Sequence, residues 1–163
     1  MIRAVPLLCG CAILLATFET HAQDRTTQLE AQTALYAAKS IRCVLGDGVH
    51  TTWSGGKPDR TLVPYATDAS KATMVFDSID LQRRVARLIG ELGSTDVELV
   101  SAAAGLTFAE LTPNGPNVTT VYAYYNSAVA RRFLMVQSRH MVILPPVGTP
   151  TPSQYYGTCE VLQ

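Results

Sequence analysis

The positions of the cysteines constrain the fold of this 163-residue sequence more than any other feature. Cys9 and Cys11 lie in an apolar N-terminal segment, whereas Cys43 and Cys159 lie near the two ends of the remaining chain. If the first segment is removed on export, two cysteines remain and only one intramolecular pairing is possible. An oxidising compartment favours that bond. We therefore predict a Cys43–Cys159 disulfide that joins the first core element to the last; a metal pair is the weaker alternative, because no CxxC motif accompanies either cysteine.

Residues 1–22 have the three parts of a secretory signal peptide. Arg3 supplies a positive charge, residues 4–18 are uncharged, and Thr20-His21-Ala22 ends the segment. We predict cleavage after Ala22 and a periplasmic or secreted location. The alternative of a membrane anchor is disfavoured, because the apolar run is shorter than the roughly 20 residues that cross a bilayer. Once the segment is removed, we expect no stable membrane insertion. The alternative is a lipoprotein, because Leu8-Cys9-Gly10-Cys11 loosely resembles a lipobox.

The charge balance argues against nucleic acid as a partner. The chain has 13 basic and 13 acidic residues, and cleavage would remove one of each. A balanced surface has no long-range attraction for nucleic acid or anionic lipid. Gly55-Gly56 lacks the helix and the Lys-Ser/Thr of a phosphate-binding loop, so we predict no nucleotide cofactor and no other cofactor.

Residues 23–41 are predicted to form an N-terminal helix and its lead-in. Thr27-Gln28-Leu29-Glu30 has the spacing of a capping box, with Thr27 as the N-cap. Leu29, Gln32 or Thr33, Tyr36 and Ala37 would form one weakly apolar stripe. The many alanines favour a helix but bury little, so a surface helix is expected.

Residues 42–163 are predicted to form a single β-rich domain. Short apolar stretches alternate with turn residues, as in Leu106, Phe108 and Glu110 against their neighbours. This pattern predicts a mainly β fold: a small antiparallel β-barrel or sandwich of meander type, preceded by one helix. The predicted strands are 42–45, 49–53, 73–79, 83–90, 96–101, 106–112, 117–124, 132–138, 140–144 and 155–161.

The segments between these strands are predicted as turns and loops. Asp47-Gly48 has the composition of a hairpin turn. Residues 54–70 and 145–153 are rich in glycine or proline and are interpreted as loops. Residues 81–92 also fit a helix, because Leu81, Val85, Leu88 and Leu92 have helical spacing. The strand interpretation is favoured there, since hairpin-sized segments flank it closely.

Ser138-Arg139-His140 is the most polar segment between two apolar runs near the C-terminus. Ser138 and His140 would share one strand face, but nucleophilic catalysis also needs an orienting acid and an oxyanion site, and no GxSxG elbow is present. The alternative is a turn or bulge between two strands. His50 lies some 90 positions earlier, so nothing predicts a shared metal site.

Aromatic residues near the predicted disulfide could line a ligand cleft, although core packing is the alternative. We assign no catalytic and no metal-binding residue. The candidate binding residues are Ser138, Arg139, His140, Gln154, Tyr155, Tyr156 and Trp53.

The last third of the chain, from Leu106-Thr-Phe-Ala-Glu through Ser138-Arg139-His140 to Ser153-Gln-Tyr-Tyr-Gly-Thr-Cys159, resembles small exported proteobacterial proteins of unassigned function. The resemblance implies a periplasmic β-rich domain and carries over no activity. The architecture is also similar to periplasmic inhibitors of c-type lysozyme, but their Ser-Gly-x-x-Tyr loop is not matched, because Gly56-Lys57-Pro58 follows Ser54-Gly55.

These observations favour a non-enzymatic periplasmic binding or interaction module. Its ligand would be an unknown protein, a cell-wall component or a small molecule. The alternatives are a small hydrolase or isomerase that uses His140 with Arg139, and a lysozyme-inhibitor-like envelope protein.

Overall fold

The computed structural model describes residues 27–64, 72–91, 93–125, 131–143 and 148–162. The predicted signal peptide and cleavage site lie outside these residues. Helix α1 (27–37) precedes the strands. The strands are β1 (Ile41–Ser54), β2 (Lys57–Val63), β3 (Thr73–Asp80), β4 (Val85–Gly90), β5 (Gly93–Ala102), β6 (Gly105–Thr112), β7 (Gly115–Tyr125), β8 (Phe133–Ile143) and β9 (Thr149–Val161).

Eight of these strands close into an antiparallel barrel. From β3 to β9 each strand pairs with the next one along the chain, and β1 pairs with both β3 and β9. Among the described strands, β2 pairs with β1 alone and lies outside the closed ring. The predicted fold class, a mainly β antiparallel meander after one helix, is confirmed, and of the two predicted forms it is the barrel.

The disulfide lies at the seam of the barrel, where the first strand meets the last. Cys43 and Cys159 face each other in the β1–β9 ladder and are bonded, as predicted. Both are buried. The bond therefore reinforces the one strand pairing that closes the ring.

Helix α1 covers one end of the barrel. Its fully buried residues are Ala31 and Leu35, and Ala38 just beyond it is also buried. The Gln28 side chain donates a hydrogen bond to the carbonyl of Ala123, and the Tyr36 hydroxyl donates one to Ala102 at the β5–β6 turn. The helix thus closes this end against the strand termini.

The predicted apolar stripe of α1 was wrong. Leu29, expected to face the domain, is 63% exposed, and Thr33 and Ala37 are exposed as well. The buried face of the helix is centred on Ala31 and Leu35 instead. Thr27 is the first residue that the structure describes and is helical, so the predicted cap stays a prediction.

Strand β1 is longer than predicted. Asp47-Gly48 was expected to form a hairpin turn, but the chain continues through a β-bulge between Leu45 and Gly48. Beyond the bulge β1 leaves β3 and pairs with β2, which occupies part of the predicted loop 54–70. The turn is at Gly55 and Gly56, whose φ angles of 57° and 75° suit a tight hairpin.

Strands β8 and β9 also extend through segments predicted as irregular. Ser138-Arg139-His140 lies within the continuous strand β8, so the turn or bulge expected there is absent. Strand β9 begins at Thr149 inside the predicted loop 145–153. Pro150 and Pro152 are accommodated because β9 pairs with β1 only from Ser153 onward, and a missing N–H is tolerated at a one-sided edge.

The strand interpretation of residues 81–92 is confirmed for Val85–Gly90, whereas residues 81–84 form the preceding turn. Val85–Gly90 is β4, with Ala86 buried and Val85 and Ile89 on the outer face. The Oδ1 atom of Asp80 accepts hydrogen bonds from the backbone N–H groups of Gln82 and Arg83 and fixes the turn into β4.

The apolar core fills the half of the barrel next to α1. Phe76 and Phe108 stack with ring centroids 3.9 Å apart, and Phe133, Leu106 and Val121 are buried around them. Further from α1, polar side chains occupy inward positions of β6, β7 and β8. This change divides the interior into a packed half and an open half.

Candidate functional site: the open end of the barrel

A cavity of about 530 Å³ opens at the barrel end opposite α1. Apolar side chains cover one part of its wall, and polar or charged side chains cover the rest. The apolar part comprises Leu45, Ala72, Met74, Leu88 and Met141. The polar part includes Thr95, Glu110, Thr112, Asn117, Gln137, Arg139 and Glu91.

Strand register places three of these polar residues side by side. Arg139 of β8 pairs with Asn117 of β7, and Asn117 pairs with Glu110 of β6. Gln137 and Thr119, two residues nearer the core on the same strands, are both buried inside the barrel. Because alternate residues of a strand share a face, these three side chains also point into the interior. We call Arg139, Asn117 and Glu110 the inner row.

Hydrogen bonds fix most of these side chains. Asn117 Nδ2 donates to Glu110 Oε2 over 2.7 Å. Arg139 Nε donates to Gln137 Oε1 over 3.0 Å, and Gln137 Nε2 donates to Thr119 Oγ1 over 3.3 Å. The wall is therefore preorganised across three neighbouring strands.

The carbonyl oxygen of the Asn117 side chain is an exception. Asn117 Oδ1 is buried and has no hydrogen-bond partner among the described residues. Its amide nitrogen is committed to Glu110, so the oxygen is left as an acceptor. A buried acceptor without a partner costs free energy of about 1–3 kcal/mol. A donor supplied by a ligand would remove that cost.

Tyr155 of β9 lies beside the inner row. The guanidinium carbon of Arg139 is 5.3 Å from the centre of the Tyr155 ring, within cation–π range. The ring occupies space next to Gly48, where a Cβ atom would lie 2.4 Å from Tyr155 Cδ1. Gly48, which also belongs to the β1 bulge, is therefore needed to admit this ring.

Of the predicted binding residues, the structure brings Arg139 and Tyr155 together on the inner side. Four others occupy the outer face, where Gln154 Nε2 donates to Ser138 Oγ over 3.4 Å and the Tyr156 hydroxyl donates to Gln154 Oε1 over 3.0 Å. His140 is exposed, at the edge of an outer groove of about 410 Å³ that Arg60 also lines. Trp53 is 45% exposed near the tip of the β1–β2 hairpin, away from both sites.

In the part of the chain that the structure describes, Ser138 and His140 of the outer groove do not form a catalytic pair. Ser138 bonds to Gln154 rather than to His140, and no carboxylate in the described part of the chain forms an ion pair with His140. His50 pairs with Ser153, which faces the lumen, so the two histidines lie on opposite faces of the sheet. Over the described ranges, no group of three or more His, Cys, Asp or Glu residues could hold a metal ion.

Sequence reasoning missed Glu110, Asn117, Gln137 and Thr119. A signal was present for Glu110, because it continues the inward alternation of Leu106 and Phe108. A carboxylate at an inward position indicates either a functional site or the end of the packed core. Asn117 and Gln137 gave no such signal, because the side of the sheet on which their side chains lie depends on the register of β7 against β8.

Comparison with known proteins gives no relative from which a role could be transferred. No protein-family model matches the chain, and no curated protein matches it. Within the described residues, no helix has both the length and the apolar character needed to cross a membrane.

Proposed function

We propose that the protein is an exported, non-enzymatic binding protein that takes a small molecule into the open end of its barrel. The observation that carries this proposal is the cavity of about 530 Å³ with hydrogen-bonded polar groups on one wall and apolar groups on the other. Small-molecule sites are typically concave, of roughly 300–1,000 Å³, and largely apolar with a few placed polar groups. The N-terminal sequence pattern and the disulfide support export.

Side-chain directions favour binding over catalysis by His140 with Arg139. Neighbouring residues of a strand point to opposite faces of the sheet. The Arg139 side chain contacts Gln137 and Tyr155 on the inner side, whereas His140 is exposed on the outer face. Both residues line the outer groove, but their side chains leave the strand on opposite faces, and the guanidinium is directed toward Gln137 and Tyr155 rather than toward the imidazole.

Blocking the cavity tests the proposal. Thr95 lines the cavity and is exposed, so Thr95→Trp should fill the opening without disturbing the core. Val100, 56% exposed on the outer face of the same strand, provides the matched control Val100→Trp. Native mass spectrometry of the protein incubated with an extract of bacterial envelope metabolites should show small-molecule adducts for the wild type and Val100→Trp but not for Thr95→Trp. Adducts that persist in Thr95→Trp, or none in the wild type, would contradict the proposal.

A further inference from the structure

We infer that the open end selects a zwitterion: a molecule of amino-acid or dipeptide size with an ammonium group, a carboxylate and an apolar body. The inference rests on the proposed function and deepens it. Its basis is the order of charges in the inner row, where the carboxylate of Glu110 and the guanidinium of Arg139 flank Asn117. Both charged residues line the same cavity.

Glu110 and Asn117 form a corner rich in hydrogen-bond acceptors. The Asn117 amide donates to Glu110 Oε2, which holds the carboxylate next to the buried Oδ1 of Asn117. Two oxygens in this arrangement suit a cationic N–H donor, because an ammonium has three donors and no acceptor. An ammonium there would give Asn117 Oδ1 its hydrogen bond and also neutralise the charge of Glu110.

Arg139 provides the opposite pole. Gln137 accepts from its Nε and Tyr155 lies under its guanidinium, so the group is oriented by two neighbours. Guanidinium is planar and matches the geometry of a carboxylate. Adjacent strands lie about 4.8 Å apart, so the backbones at Arg139 and Glu110, two strands apart, are separated by about 10 Å. A molecule of amino-acid or dipeptide size can bridge the two side chains across that span.

The apolar part of the wall accounts for the body of the ligand. Leu45, Leu88, Met74 and Met141 line the same cavity as the inner row. Methionine side chains adapt to different apolar shapes, which suits a site that accepts more than one aliphatic side chain. A simple anion would be repelled by the carboxylate of Glu110, and a simple cation would be repelled by the guanidinium of Arg139. An uncharged ligand would offer neither a cationic donor to the corner of Glu110 and Asn117 nor a carboxylate to the guanidinium of Arg139.

A matched set of four probes separates the contributions of the two charges. Leucine carries both, N-acetylleucine lacks the cation, leucinamide lacks the anion, and N-acetylleucinamide lacks both, while the isobutyl group is constant. In calorimetric titrations, leucine should bind at least about tenfold more tightly than either singly charged probe, the change expected when one charge-assisted hydrogen bond is lost. The corresponding four derivatives of leucyl-leucine test the dipeptide size.

Isosteric variants assign each preference to a residue. Glu110→Gln should abolish the preference for leucine over N-acetylleucine but keep the preference over leucinamide. Arg139→Gln should do the reverse. Glu98 and Arg60, both exposed on the outer face, provide the controls Glu98→Gln and Arg60→Gln, which should change neither preference. If Arg139→Gln does not fold, Arg139→Lys, which keeps the charge, should retain the preference for a carboxylate.

The outcomes distinguish this inference from the proposed function. If the four probes bind equally, or if Glu110→Gln leaves the preference for the amine intact, the zwitterion inference is wrong. The proposed function would still hold if Thr95→Trp removes another small molecule that the wild type captures. If the wild type binds neither the probes nor any component of the envelope extract, both are overturned.

Discussion

Replacement of both Cys43 and Cys159 by alanine should remove a large part of the stability of the barrel. The two residues are 116 positions apart and face each other across the β1–β9 pairing. The cross-link constrains the segment from Cys43 to Cys159 when the protein unfolds. For a loop of this length the chain-entropy relation gives about 4.8 kcal/mol at 25 °C.

The size of this loss is large compared with the stability of an ordinary domain. Folded domains are typically stable by about 5–15 kcal/mol. The variant also loses two buried sulfur atoms, since Cys43 and Cys159 are 0% and 1% exposed. Residual structure in the unfolded chain reduces the entropic term, so we expect a decrease of about 3–5 kcal/mol in the free energy of unfolding.

Urea unfolding followed by far-UV circular dichroism measures the effect. The reduced wild type is the control, because it loses the cross-link but keeps both sulfur atoms. Reduced wild type and Cys43→Ala/Cys159→Ala should both unfold at lower urea than the oxidised protein, with a steeper dependence on urea because the unfolded chain exposes more surface. If the free energy of unfolding decreases by less than about 1 kcal/mol in both the reduced wild type and the double variant, the disulfide does not stabilise the closed ring as argued.

Two further predictions concern α1 and the acid limb of stability. Leu35→Ala should lower the free energy of unfolding, measured by urea titration, by about 2–5 kcal/mol, because Leu35 is fully buried at the barrel end. Leu29→Ala, on the exposed side of α1, is the control and should be nearly neutral. Equal losses would mean that α1 does not close the barrel. Hydrogen bonds from Arg87 lower the pKa of the Asp77 carboxyl, so this pair stabilises the fold above the ordinary aspartate pKa, and the stabilisation is lost as the pH falls through the lowered value. Asp77→Asn should therefore weaken the dependence of the unfolding midpoint on pH below about pH 4, and an unchanged dependence would contradict this role.

The sequence predicted those parts of the fold that depend on local alternation and on the cysteine count. Strand β6 was recognisable because Leu106 and Phe108 alternate with more polar neighbours, and its burial follows that pattern. The β1–β2 hairpin was missed although Gly55-Gly56 carried its signal, because two glycines and a nearby proline were interpreted as a loop. Closed barrels need long, bent strands, so residues such as Gly48 that are typical of turns can form bulges instead.

The candidate site was predicted in part. Arg139 and Tyr155 were in the predicted set, but the set mixed both faces of β8 and β9, because their continuity through Ser138 and Pro152 was not visible in the sequence. Facing in a barrel follows from register across several strands, and register is a long-range property. Asn117 and Glu110 therefore came only from the structure.

The hydrogen bonding of buried polar side chains changes along the barrel axis, at the point where the packed core ends and the cavity begins. Among the described residues, the buried polar side chains are Thr119 and Gln137, and they bond to each other. One step further from α1, on the same two strands, Asn117 Oδ1 has no partner in the described part of the chain, while Arg139 is held by Gln137. Native folds seldom leave a buried acceptor unsatisfied. Its occurrence between two opposite charges at the mouth of a cavity, rather than in the packed half, favours a site completed by a ligand over a defect in packing.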